Sequence, residues 1–171
     1  MLFKVVPIAA IGLALAFSAY AQTPDPAPTA PVYQNVPGPT LDQSLTLARA
    51  ALDACHARGF DASASVVDSA GRVKVTLRAD NAPKPPVAAP LKAATAAAFD
   101  AAGSDLSARM ANDSVLAAKL ADKTLYNPHP GSLPLHQGGK LIGGMAVADV
   151  PHDVADACAR AAVAASPFTP Q

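Results

Sequence analysis

Two short apolar alternations joined by a tight turn constrain this chain more than any other feature. Ala62, Ala64 and Val66 alternate along one stretch. Asp68-Ser69-Ala70-Gly71-Arg72 then supplies a turn, and Val73, Val75 and Leu77 alternate with Lys74, Thr76 and Arg78. Successive side chains of a strand point to opposite faces, so a period of two marks half-buried strands, and so short a link returns the second antiparallel to the first. A helix is expected just before them. Thr40 is a candidate N-cap, Leu41, Leu45, Ala48, Leu52 and Cys55 recur on one helical face, and Gly59 ends the run. A helix followed at once by a hairpin excludes a fold of repeated βαβ units.

The rest of the pattern completes a sheet. Pro83, Pro85, Pro86 and Pro90 impose an irregular connection, because proline lacks an amide proton and fixes φ. Residues 91–101 are alanine-rich and helical by propensity. Gly103 breaks that helix, and Ser104 or Asp105 caps a further one expected to run to about residue 122. Residues 126–133 read as a Pro/Gly/His loop. Leu133 and Leu135 begin a strand, Gly138-Gly139 turns it, and residues 141–147 return. Pro151 suits the first turn of a last helix over 153–164. The expected fold is α/β in the α+β sense: a single antiparallel sheet of about four to five strands flanked by helices, in the order α-β-β-α-α-β-β-α.

The ends differ from this body. Residues 1–21 read as a signal peptide, with Lys4 before an apolar run and Ala19-Tyr20-Ala21 as the small-residue site, so cleavage is expected before Gln22. A retained membrane anchor is the alternative, at the lower limit of spanning length. Contact with a membrane is otherwise not expected, and the mature chain is read as periplasmic or secreted. Residues 22–39 form a proline-rich linker. Residues 40–166 form the domain, and 167–171 read as a frayed tail. Lys plus Arg and Asp plus Glu number 13 each, with no basic run, which argues against nucleic acid as a partner. Tryptophan is absent, so the core must come from Ala, Val and Leu, which bury little area each. Such a domain gains from a covalent link or from assembly into a homo-oligomer.

The chain has two cysteines, Cys55 and Cys158, on the first and last expected helices. In an oxidising compartment they are placed to form a disulfide if those helices are neighbours; the alternative is two small buried apolar side chains. Neither sits in a CxxC pair, which speaks against redox catalysis.

No phosphate loop, metal-spaced His/Cys cluster or nucleophile motif is present. His129, His136 and His152 lie in or beside loops and carry the chemistry to bind iron, whereas His56 falls on a polar helix face. Met110 and Met145 occupy apolar positions suited to core packing. Asp68 opens a turn, where an aspartate usually bonds its own backbone. Arg78 ends a strand and Lys92 begins an otherwise apolar helix; either can hold an anionic group, or Lys92 can reach out to solvent.

Together these residues resemble the GlcG/HbpS-like haem-binding family, also called haem-degrading domains and related to the C-terminal domain of PduO proteins. The resemblance rests on Ala51 to Cys55; Gly59; Ser65-Val66-Val67-Asp68 with Gly71; Leu77-Arg78 with Asp80 and Ala82; Lys92-Ala93, Thr95-Ala96 and Phe99; Leu141-Ile142-Gly143-Gly144; and Asp156 with Cys158-Ala159. These stretches follow the family's order and cover nearly all of the domain. Two loops depart from it. Gly131-Ser132-Leu133-Pro134 keeps one glycine of a Gly-Gly-x-Pro turn, and Val147-Ala148-Asp149 replaces a Val-Ser-Gly.

The resemblance implies an exported haem- or tetrapyrrole-binding protein linked to haem handling or oxidative stress. It implies no universal iron ligand. The expected pocket is bordered by the helix that starts near Leu91 and the loops of His129 and His136. Those two histidines are the candidate iron ligands, with Arg78 or Lys92 toward the propionates. A non-catalytic oligomeric accessory protein without cofactor is the alternative. An enzyme acting on haem or on a small organic acid comes third, lacking an evident base and polar cavity.

Overall fold

A computed structural model describes residues 35–170. The expected signal peptide, most of the proline-rich linker and Gln171 lie outside the described residues. The first helix, α1 (Leu41–His56), starts where its cap predicts. Thr40 accepts from the Gln43 amide and Gln43 returns the bond to the Thr40 amide, a reciprocal capping box. Gly59, at φ 81°, ends the segment. The expected face holds from Ala48 through Leu52 to Cys55 and fails only in the first two turns. Ser44, Leu47, Ala48, Ala51, Leu52 and Cys55 face inward, while Leu41 and Leu45 are exposed. Small residues let α1 approach a neighbouring helix closely, and that contact sets its rotation.

The hairpin follows as β1 (Ser63–Asp68) and β2 (Val73–Arg78). Asp68 accepts from the amides of Ala70 and Arg72 and pairs with the Arg72 guanidinium at 2.8 Å, so its carboxylate is committed to the turn. Next come α2 (Ala88–Phe99), α3 (Gly103–Met110) and α4 (Ser114–Lys119). Pro90 is tolerated in α2 because it lies in the first turn. The chain closes with β3 (Ser132–Gln137), β4 (Lys140–Ala148) and α5 (His152–Ala164). The four strands form one antiparallel sheet in the order β2-β1-β4-β3, the architecture expected.

Helices cover both faces. Ala64, Val66, Leu133, Leu135, Met145 and Val147 meet α1 and α5. On the other face Val67 and Ala146 meet Ala93 and Ala97 of α2. At Gly144 a Cβ would stand 2.3 Å from the Ala93 carbonyl oxygen, so α2 rests almost on the backbone of β4. All of β1 is buried as a result, although its sequence alternates. Cys55 and Cys158 form a disulfide that ties α1 to α5 across a separation of 103 residues, with Cα atoms 5.3 Å apart.

Two local expectations change. The segment read as one helix over 104–122 is divided into α3 and α4, because Asp113 turns to cap the amides of Val115 and Leu116. Within the expected tail, residues 167–170 do not fray. Phe168 is buried in the core, and Thr169 exchanges both backbone hydrogen bonds with His136. Burial of an aromatic ring offsets the entropy of ordering a few residues.

Candidate functional site

A cleft of about 570 Å³ lies where the start of α2, the loop before β3 and the β4–α5 connection converge. Its apolar walls come from Val87 and Ala88 on one side and from Val150 and Pro151 on the other. Lys84, Lys92, Asn127, His129, Asp149 and His152 supply the polar groups.

His129 sits on a loop that is pinned along its length. The Asn127 amide donates to Thr95 Oγ1 (2.8 Å), Ser107 donates to the Pro128 carbonyl (2.5 Å), and Lys92 Nζ donates to the Pro130 carbonyl (2.5 Å). The Gly131 amide then bonds Asp156 (3.2 Å), and the Gly131 carbonyl accepts from the Val147 amide (2.8 Å). Gly131 has φ +100°, and a Cβ there would stand 2.6 Å from Ala155 Cβ and 2.9 Å from Lys92 Nζ. The single glycine kept in this loop is therefore the one that its crowding and backbone angle require.

The His129 ring stacks on His152 with centroids 4.9 Å apart and planes at 24°. Burial, then the neighbouring His152, Lys123 and Lys92, hold His129 below the usual histidine pKa, so it stays neutral at pH 7. Lys92 is 4 % exposed and donates a second bond to the Val147 carbonyl (2.7 Å). Burial pushes its pKa down to about 8, against the opposing pull of Asp149 and Asp156. Asp149 holds the left-handed conformation, φ 72°, and accepts from the Ser63 hydroxyl. Aspartate tolerates this region better than most residues, so the loop keeps a glycine-like turn without glycine.

The expected site residues thus separate. Lys92 and His129 line one cleft. His136 lies near the other end of α2, about 12 Å away along the helix axis by its rise per residue. It is buried, with Nε2 paired to Asp100 at 3.0 Å. Arg78 borders a different pocket and donates to the carbonyls of Lys84, Asp80 and Ala82, holding the proline-rich connection before α2. His152 is the residue that sequence reasoning set aside. Nothing local distinguishes it, since its partner is brought to it only by the return of β4. Among the described residues no group of three or more His, Cys, Asp or Glu side chains is arranged to hold a metal ion.

A family model for haem-degrading HbpS-like proteins matches residues 40–164. The chain belongs to the HbpS-like family. Among solved structures, a double mutant of HbpS from Streptomyces reticuli is 33% identical with a TM-score of 0.69, over 83% of this chain and 98% of that one. PduOC in complex with haem has a TM-score of 0.72 at 24% identity, over 78% of this chain and 99% of that one. ORFY of Klebsiella pneumoniae has a TM-score of 0.67 at 21% identity, over 78% and 94%. The last two likenesses show a shared fold. No curated protein sequence matches the chain. Within the HbpS-like fold, the Lys92-Ala93 pair that opens the recognised helix pattern is where α2 meets both the cleft and β4.

Proposed function

We propose that this HbpS-like protein is an exported haem-binding protein that takes the tetrapyrrole in the cleft between α2 and the β4–α5 connection, with His129 as the residue that would hold the iron. The observation that carries this reading is the neutral, stacked His129 imidazole on the wall of a cleft with apolar sides. Iron is ligated by an imidazole lone pair, which a protonated ring lacks, so a depressed pKa suits the task. The volume falls in the range of ordinary small-molecule sites. The residues present therefore fit the group. Haem when bound would supply its iron chemistry; His129, positioned by the bonded loop and stacked on His152, would hold the iron, and Val87 and Pro151 would offer apolar wall to the tetrapyrrole.

Export is supported by the signal-like start of the sequence, and a disulfide suits an oxidising compartment. A role in haem handling under oxidative stress and assembly into a homo-oligomer complete the proposal. Haemin titration is the test. A saturable Soret shift that His129→Ala alters and His136→Ala leaves unchanged is the expected result. A featureless titration would leave the accessory-protein reading in its place, with light scattering to define its assembly.

A further inference from the structure

Lys92 presents a chemical imbalance that the fold leaves open. An ammonium carries three protons, and two are fixed on the carbonyls of Pro130 and Val147. Both acceptors are neutral. The nearest acidic groups are engaged elsewhere: Asp149 by Ser63, Asp156 by the Gly131 amide and by Arg160 at 2.7 Å. No carboxylate of the described residues lies in ion-pair contact with Lys92. A buried charge held only by neutral acceptors is under-compensated, and the downward pull on its pKa despite two aspartates reports the same deficit.

The same wall carries a second uncommitted group. Asn127 Oδ1 is buried with no hydrogen-bond partner, although its backbone amide is bonded. The nitrogen at the other end of the carboxamide makes no hydrogen bond among the described residues and is not fully buried, so its N–H donors are available to a ligand in the cleft. Lys84 stands on the same cleft and Lys123 is close enough to act on His129. His129, His152 and Asp149 complete the polar lining, with Asp149 held by Ser63, and Val87, Ala88, Val150 and Pro151 are apolar.

We infer that the floor of the cleft is a carboxylate site, in which one ligand oxygen takes the third proton of Lys92 and the other takes the Asn127 amide, while the apolar walls hold the ligand's body. The chemistry is shared by the propionate of a tetrapyrrole and by a free carboxylic acid with an apolar group. This inference rests on the haem reading for the first source only. A ligand carboxylate completes the third bond of the ammonium and supplies the missing negative charge; charge-assisted bonds of this kind are among the stronger ones available.

Three probes separate the sources: haemin, haemin dimethyl ester and phenylpropionate. Haemin is expected to bind the intact protein at least about tenfold more tightly than its ester, as loss of one charge-assisted bond implies. Phenylpropionate is expected to bind saturably and to compete with haemin. Both preferences should weaken as pH is raised past about 8, where Lys92 loses its proton, against a background set by Asp149, Asp156, His129, His152, Lys84 and Lys123. Lys92→Met should bring haemin and ester to equal affinity. The comparisons on the unaltered protein stand whether or not that variant folds. Equal binding of haemin and ester, with no uptake of phenylpropionate, overturns the carboxylate site and leaves the haem reading intact. Uptake of phenylpropionate alone supports the carboxylate site and overturns the haem reading.

Discussion

His129 and His152 lie ring on ring, 4.9 Å between centroids, across the junction between the β3-approach loop and the start of α5. Protonating both rings would place two positive charges in contact beside Lys92 and Lys123, so proton uptake there is resisted. His129 is therefore expected to titrate below the ordinary histidine value. His152→Ala should raise it toward that value, by an amount readable from the pH dependence of its imidazole NMR signals. An unchanged His129 titration would show that burial alone sets it.

The same shift fixes a direction for stability. His129 keeps a lower pKa folded than unfolded, so between those values only the unfolded chain binds the proton. Its contribution is present above about pH 6.5 and is lost as pH falls through the folded value. The urea midpoint of the parent should fall more steeply between about pH 6.5 and pH 5 than that of His129→Gln.

Lys92 acts at the other end of the scale. Both states carry its proton below pH 8, and between about 8 and 10.5 the unfolded chain alone retains it. Stability from this group therefore rises with pH across that window, by on the order of 3 kcal/mol. Urea unfolding of the parent near pH 7.5 and near pH 10.5, compared with Lys92→Met, reads the difference; the variant should lack this rise.

The disulfide joins residues 103 apart, and a loop of that size is worth about 4–5 kcal/mol in the chain-entropy model. Replacing both cysteines by alanine should lower the unfolding free energy by about that amount, and adding a reductant to the parent should reproduce it. A loss below about 1 kcal/mol would mean that the α1–α5 packing is self-sufficient.

Gly131 and Gly138 both have positive φ, but only Gly131 is crowded. Gly131→Ala meets Ala155, the Val147 carbonyl and Lys92, and should destabilise by more than about 2 kcal/mol. At Gly138 an added Cβ meets nothing within 4 Å, and Gly138→Asn should cost less than about 1 kcal/mol. Thermal unfolding of the two variants separates space from backbone angle.

Features written in neighbouring residues were legible in advance. Thr40 marks a helix start, and Asp68 with Gly71 marks a self-bonded turn, because each is completed within a few positions. Features completed by distant partners were not. Leu41 and Leu45 follow helical spacing yet face solvent, since small residues of α5 decide how α1 is turned. The segment around Asp113 has the propensity of one continuous helix, and the cap that divides it shows only once Asp113 turns back onto Val115 and Leu116. Arg78 and Lys92 looked equivalent as cations at element ends; only the path of β4 distinguishes one bonded to a loop from one buried in a cleft. His152 became meaningful only beside His129.

The bridge between His136 and Thr169 has a consequence for how this domain stays solitary along one border. β3 is an outer strand, and an outer strand offers unpaired amides and carbonyls to any other chain. Thr169 lies against it at His136, anchored by the buried Phe168, so the edge is covered at that point. A chain cut after Ser166 would lose that cover and expose a strand edge beside an empty aromatic socket. Self-association through this border, seeded by a loss of a handful of terminal residues, would be the outcome.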